Sequence, residues 1–277
     1  MIRNAVVDTM AFSIYLSCYQ LLNLLMQYTL RKSLGQHFLK DENISRKIVS
    51  ALSQHPLNNL LEIGPGGGAL TKFLIQLDNI EFKAIELDPE KIQYLQQHYP
   101  SLKEKIIHKD VLKADLPFED SFAVVGNFPY NISSQILFKI LEWRAHVPLV
   151  IGMFQKEVAQ RIASKPNNKV YGILSVLVQA FYNVEYLFDV PAGAFNPPPK
   201  VMSGVIKLMI RKQHPEMRTE KDFFALVKTA FNQRRKKLRN AVRGLFNEDI
   251  LQNKIFDKRA EQLTIEDFAA LTFEMKT

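Results

Sequence analysis

The chain has 277 residues, 47% of them hydrophobic and 23% charged, which is ordinary globular composition and enough for one large domain with a smaller one beside it. Its net charge of +8 and isoelectric point near 9.4 favour anionic partners, although where the charge sits matters more than its sum. The one cysteine, Cys18, excludes an internal disulfide and fits a reducing compartment, and the six histidines fall at no metal-ligand spacing, so no metal is expected.

Three regions follow along the chain. Residues 1–30 are apolar and nearly uncharged. The stretch "AFSIYLSCYQLLNLLM" (11–26) is broken by Gln20 and Asn23 and falls short of the roughly 20 apolar residues a spanning helix needs. Arg3 is offset by Asp8 and no small-residue cleavage box follows, so a signal peptide is not indicated either. The expectation is a cytoplasmic protein with no stable membrane association. Its translation is expected to start at Met26, with a real N-terminal helix as the alternative.

Residues 31–212 alternate short apolar runs with helical patterns. "NLLEIG" (59–64), "EFKAIEL" (81–87), "KIIHKD" (105–110), "FAVVGNFPY" (122–130) and "VPLVIGMFQ" (147–155) read as strands. "ALTKFLIQL" (69–77), "PEKIQYLQQHY" (89–99), "SSQILFKIL" (133–141) and "GILSVLVQAFY" (172–182) read as helices. "VEYLFDV" (184–190) and "SGVIKLMIRK" (203–212) are a closing pair of strands around the stiff "FNPPPK" (195–200). This alternation predicts a doubly wound, mostly parallel α/β sheet. Residues 213–277 are charged and read as helices only.

"EIGPGGGAL" (62–70) joins the first of these strands to a helix. Glycines there let backbone approach a ligand, and Glu86 ends the next strand about twenty residues on, where an acid binds ribose hydroxyls. A nucleoside cofactor follows, and a loose G-x-G-x-x-A pattern at Gly64, Gly66 and Ala69 keeps NAD open. Two acids favour S-adenosylmethionine. Glu62 can brace the loop near an ammonium, and Asp110 ends the third strand, where it can accept from an adenine amine.

"GNFPYN" (126–131) closes the fourth strand. The Asn127 side-chain oxygen and the Phe128 carbonyl, freed where Pro129 fixes the turn, can hold the two N–H groups of an exocyclic amine. Tyr130 offers a face for the base. Such an amine needs positioning beside a methyl donor more than it needs a strong base.

With these motifs in hand, residues 32–271 resemble the ribosomal RNA adenine N6-dimethyltransferases, most closely the bacterial small-subunit branch. "LGQHFL", "EIGPGGGALT", "IELD", "HKDVL", "GNFPYNISS", "MFQKEVAQRI" and "FNPPPKVMSGV" stand in family order. The resemblance implies a Rossmann-like class I S-adenosylmethionine-dependent methyltransferase fold with a seven-stranded sheet over 31–212. It also implies a small all-α RNA-binding domain over 213–277. It places cofactor contacts at His37, Leu39, Gly64, Glu86, Asp110 and Asn127, and catalytic ones at Asn127, Pro129, Tyr130 and Phe195, the last closing on the base opposite Tyr130. It further implies a monomer that puts two methyl groups on each of two adjacent adenines in the 3′-terminal hairpin of 16S rRNA, within a 30S precursor. The sequence departs from the family at Phe128, expected to tighten a pocket wall, and at Met202, where a polar residue is commoner.

"KTAFNQRRKKLRNAVR" (228–243) carries seven cations and no acid. As one helix it would put Arg235, Lys236, Arg239 and Arg243 near one face, and with Arg234 and Lys237 these are the candidate RNA contacts. Three other readings stay open at this point. They are the 23S rRNA enzyme of macrolide resistance, a non-catalytic nucleic-acid-binding protein on this fold, and an NAD-dependent oxidoreductase.

Overall fold

A strand buried on both faces reads as an unbroken apolar run, and joining such strands in parallel requires a crossover on one face or the other. The computed structural model, which describes residues 37–56 and 58–276, shows this pattern. The apolar extension (1–30) and the start-site question at Met26 lie outside the described residues.

The strands are β1 (Phe38–Leu39), β2 (Asn59–Ile63), β3 (Glu81–Glu86), β4 (Ile106–His108), β5 (Ala123–Asn127), β6 (Leu149–Gln155), β7 (Tyr182–Val190), β8 (Phe195–Asn196) and β9 (Ser203–Ile210). Seven of them form one sheet in the order β4-β3-β2-β5-β6-β9-β7, parallel as far as β6 and antiparallel through β9 and β7. The strand order reverses between β2 and β5. A ligand crevice opens at such a switch point, outside the carboxyl ends of the strands. Gly64 and Asn127 therefore meet at one place. The other two strands, β1 and β8, form a small antiparallel ribbon, with Leu39 opposite Phe195.

Alternate residues of each strand feed two separate cores. Leu61, Val124 and Val150 belong to one and Leu60, Val125 and Ile151 to the other, as a period of two requires. The second core is covered by α1 (Glu42–Ser53), which was not anticipated in the sequence. Its signal is present nonetheless. Asp41 caps it by accepting from the amides of Asn43 at 2.9 Å and Ile44 at 3.3 Å, and Ile44, Ile48, Val49 and Leu52 share its buried face. The helix expected over 69–77 contracts to α2 (Thr71–Leu74), flanked by turns, and α3 (Pro89–His98) follows β3 with Pro89 in its first turn.

The first core takes in α4 (Ser133–Glu142), α5 (Lys156–Ile162), α6 (Ile173–Phe181) and the C-terminal helices α7 (Glu220–Asn232), α8 (Leu238–Ala241) and α9 (Ile265–Leu271). Phe223, Leu226 and Phe268 lie in one cluster with Leu174 and Phe181, so residues 213–276 share a core with the sheet. Thr264 and Asp267 close a reciprocal cap on α9 at 3.0 and 2.9 Å. The single basic helix expected over 228–243 does not form. The backbone leaves α7 after Asn232, turns through residues 233–237 and resumes at Leu238. Four successive cations, Arg234–Lys237, would put like charges three residues apart on one helix, and the turn separates them.

Two fully buried tyrosines sit differently in this core. The Tyr182 hydroxyl donates to the Val147 carbonyl at 2.9 Å, whereas the Tyr171 hydroxyl has no partner among the described residues. Tyr182→Phe is expected to cost about 1–2 kcal/mol by orphaning a buried carbonyl, and Tyr171→Phe to be neutral or stabilising. Urea unfolding of both variants measures the difference, and equal losses would show that Tyr171 has a partner too.

Candidate active site

At the crevice the glycine loop is held by the acid that ends β3. Glu86 accepts from the Gly66 amide at 3.0 Å through one carboxylate oxygen, and from the Leu87 and Asp88 amides at 2.8 and 3.0 Å through the other. Gly66 has φ +54 and Gly64 φ +69, left-handed conformations that only glycine adopts at little cost. The Gly64 amide donates to Ile85 at 2.9 Å, stitching the loop's entry to β3. A side chain at Gly66 or Gly67 would meet the Phe38 ring at 3.5 or 3.4 Å, so that ring lies on the loop, with the Lys91 ammonium 4.8 Å from its centroid.

Sequence reasoning missed Phe38 and also Leu87, which is 52% exposed directly after Glu86. The signal for Leu87 was an apolar residue just past the strand-ending acid, where a planar base could rest. Asp110 uses one oxygen to cap a short turn through the Leu112 amide at 3.0 Å. The residues fit a nucleoside cofactor. The loop offers close backbone approach, Glu86 and Asp110 supply acceptors, and Leu87 supplies an apolar surface.

Glu62 braces the loop from below, and not as an open carboxylate. It is 2% exposed and accepts from the Thr71 hydroxyl at 2.7 Å. Burial pushes its carboxyl up to about 8, the Thr71 bond opposes that rise, and the charge of Glu86 adds to it. With no ligand in the crevice Glu62 is therefore neutral at pH 7, and an ammonium brought beside it would favour its ionised form. The brace itself is present.

The residues expected to form a clamp come together at the tip of β5. The Asn127 amide nitrogen donates to the His37 carbonyl at 3.3 Å, and since only the NH2 group can donate, its oxygen is turned the other way. His37 Nδ1 in turn lies 2.8 Å from the Pro197 carbonyl. The Phe128 amide donates to Met153 at 3.1 Å, and its carbonyl accepts from no described residue. Pro129 packs 3.8 Å from where a side chain at Gly64 would begin, and its carbonyl closes the turn through the Ile132 amide at 3.1 Å. Tyr130 is half-buried, its hydroxyl 2.6 Å from that of Ser203 and its ring 5.8 Å from the His37 ring.

Three expectations change. Phe128 is fully buried edge-on to Phe154, its ring seated over Gly126 and Gly152, so it forms no pocket wall. Phe195, expected opposite Tyr130 on the base, is 1% exposed in the second core, because its pairing with Leu39 covers it; it presents no open face in this structure. Leu39 at 6% exposure turns inward likewise.

The basic run divides. Arg234 bonds Glu261 at 2.6 Å and the carbonyls of Lys169 and Asn168. Lys237 and Arg239 share Asp257 at 2.8 and 3.0 Å, and Arg243 meets Glu248 at 3.0 Å in a well-exposed pair. The Arg235 and Lys236 side chains are exposed and pair with no acid among the described residues. Among those residues no helix is long and apolar enough to cross a membrane.

Comparison with known proteins gives a consistent result. A family model described as ribosomal RNA adenine dimethylase matches residues 27–276. A ribosomal RNA small subunit methyltransferase A from Cytophaga hutchinsonii is 52% identical over 87% of this chain and 95% of its own length. Its namesake from Porphyromonas gingivalis is 47% identical over 90% and 98%. Among solved structures, a dimethyladenosine transferase from Plasmodium falciparum superposes with a TM-score of 0.74 at 27% identity, covering 86% of this chain and 97% of that one. The 23S rRNA methyltransferase ErmE, at TM-score 0.62 and 24% identity over 84% and 99%, shares the fold.

The buried Glu62 sets a pH dependence. Between its ordinary value of 4.5 and about 8 the unfolded carboxyl has lost its proton while the folded one keeps it. Unfolding then releases a proton, and stability of the ligand-free protein falls as pH rises through that window, by up to about 1.4 kcal/mol per pH unit. Glu62→Gln is expected to flatten this decline and to raise the thermal midpoint at pH 8. A variant whose midpoint still falls as steeply between pH 5 and 8 would show the buried carboxyl is not the cause.

Proposed function

The chain belongs to the ribosomal RNA adenine dimethylase family, and on that premise we propose that it dimethylates N6 of two adjacent adenines in the 3′-terminal hairpin of 16S rRNA, within 30S particles late in small-subunit assembly. Methylation of ribosomal RNA adenine with S-adenosylmethionine is the family's activity, and the fold is that of this class of methyltransferase. The observation that carries the site reading is Asn127. It stands at the switch point beside the glycine loop, and its amide is committed to the His37 carbonyl, so its oxygen is preset as an acceptor.

Bound in the loop, the cofactor supplies an electrophilic methyl group. The protein's part is to present the adenine amine. In the first transfer Asn127 Oδ1 and the unengaged Phe128 carbonyl accept the two N6 hydrogens, and in the second one of them accepts the hydrogen that remains, each time drawing the nitrogen lone pair out of conjugation with the ring. Pro129 holds the spacing between those acceptors. Tyr130, anchored by Ser203, gives the extruded base a surface worth about 1–3 kcal/mol of stacking. When the nitrogen takes the methyl it loses a proton to water, so no strong base is required. His37, Leu39, Gly64, Glu86 and Asp110 hold the donor. The exposed cations Arg235, Lys236 and Arg243 meet RNA phosphates, while Arg234, Lys237 and Arg239 act through the ion pairs that shape the turn. The protein works as a monomer in the cytoplasm.

The test is methyl transfer to undermethylated 30S particles against protein-free 23S rRNA, with the modified nucleotides mapped. Label confined to 23S rRNA would overturn the small-subunit reading. Asn127→Ala is expected to lower transfer by about a thousandfold or more while cofactor affinity stays within about tenfold. Parallel loss of both would make Asn127 a support for the cofactor site instead of a clamp.

A further inference from the structure

The surface that Tyr130 offers a base is only as fixed as its anchor. That anchor is the Ser203 hydroxyl, 2.6 Å away, on the first residue of β9. Ser203 is fully buried, yet it stands on the last rung of the ladder. Its register partners are Gln155 and Val190, which end β6 and β7, and the chain reaches it through the exposed residues Val201 and Met202. Strand ends are where a sheet opens most easily.

At that end of the sheet one carboxylate joins the two strands that flank β9. Asp189 of β7 pairs with the Lys156 ammonium at 2.5 Å, and through its other oxygen accepts from the Tyr186 hydroxyl at 2.5 Å. Lys156 directly follows β6, and its amide donates to the Met202 carbonyl at 2.9 Å. The Tyr186 hydroxyl lies over Gly204, where a side chain would collide with it and begin 2.9 Å from the ring carbon that bears it. Residues three apart in a regular strand point to opposite faces. Tyr186 and Asp189 can meet because β7 shifts register between Tyr186 and Phe188. The bulge in one strand and the glycine in the next thus serve the same contact. The Lys156 ammonium first, and the Tyr186 hydroxyl next, hold the Asp189 carboxyl below the usual carboxylate range, so it is charged at neutral pH.

We propose that Asp189 is a positioning residue for methyl transfer: with Lys156 and Tyr186 it clasps Met202–Gly204, and so keeps Ser203 where it aims the Tyr130 ring at the base. The inference rests on the reading of Tyr130 as the base surface and adds to it the group that sets its place. Asp189 itself touches neither base nor cofactor. The side chains of Lys156 and Asp189 are 31% and 39% exposed, and an ion pair that open contributes little to stability. Its effect is on geometry, where an error of about 1 Å in placing a reacting group can cost about a hundredfold in rate.

The experiment measures single-turnover methyl transfer with saturating cofactor, on whichever of undermethylated 30S particles and protein-free 23S rRNA the wild type modifies. Asp189→Asn is expected to lower the rate at saturating RNA by about tenfold or more, with cofactor affinity and thermal midpoint unchanged. Tyr186→Phe should show the same pattern more weakly. Ser203→Ala should be slow as well, and the double variant D189N/S203A no slower than Ser203→Ala alone, because Asp189 acts through Ser203. Losses that add in the double variant would show that Asp189 works by another route and would overturn the proposal. So would a loss of Asp189→Asn activity that is matched by its losses of cofactor affinity and thermal midpoint, which would make the residue a general support. Tyr130→Ala is the reference. If it is impaired while Asp189→Asn transfers normally, the clasp alone is overturned. Transfer unaffected by Tyr130→Ala would overturn the base-surface reading and the clasp's role with it.

Discussion

Everything at the crevice depends on the three amides that Glu86 gathers at the end of β3. A parallel sheet leaves the carboxyl ends of its strands without a hydrogen-bonded continuation, and the loops leaving them would otherwise be free to vary. By accepting from Gly66 on one side and from Leu87 and Asp88 on the other, one carboxylate ties the loop after β2 to the loop after β3. The left-handed residues of the glycine loop can make that approach because no Cβ stands in the way. Glu62 supports the same loop from within the core through Thr71, and there the cost of burying an acid is met by keeping it protonated. One acid holds by accepting from backbone and the other by staying neutral.

The proposed base clamp is stabilised by a different device, a chain of side-chain contacts through segments that meet only in the folded protein. Asn127 holds the His37 carbonyl, the His37 ring reaches the Pro197 carbonyl, and Tyr130 reaches Ser203. The ribbon of β1 and β8 lies in the middle of this chain. Its alternation sends Leu39 into the core while Phe38 stays over the glycine loop. A single tripeptide, His37-Phe38-Leu39, thus touches the proposed amine acceptor Asn127, the glycine loop and the core. Small shifts of the ribbon would be felt at both halves of the site, which is a physical reason for the two to be ordered together.

Much of this was legible in the sequence because it rests on local rules. Strands buried on both faces read as apolar runs, Gly64 and Gly66 marked the loop, and Glu86 and Asp110 stood at strand ends where ligands bind. What escaped was set by partners distant in sequence. Helix Glu42–Ser53 was overlooked although Asp41 announces its start. The Phe195 ring is buried because Leu39 lies across from it, some 156 positions earlier in the chain. Phe128 looked like a pocket wall because it follows Asn127, yet Gly126 and Gly152 leave a space in the core that its ring fills. Hydrophobic pattern says that a ring will be buried somewhere, and only the packed sheet says where.

The basic run shows the same limit in its sharpest form. Arg234 and Arg235 are adjacent, identical in chemistry and indistinguishable by helical periodicity, yet one bonds Glu261 and a backbone carbonyl while the other faces solvent. The turn through 233–237 makes the difference, since it directs successive side chains to opposite sides. Arginine suits the inward role because its planar fork can serve a carboxylate and a carbonyl at once, which a lysine ammonium does less well. An ion pair between exposed groups contributes little to stability, but this one is partly sheltered and links three loops. Its larger effect is on geometry. By fastening the loop after α5 to the turn after α7, it makes the orientation of the C-terminal cations a property of the same body that carries the proposed clamp. A base held at the proposed clamp and phosphates met by the exposed cations would then be separated by a fixed distance, and a substrate matching it would gain from both contacts without a further ordering cost.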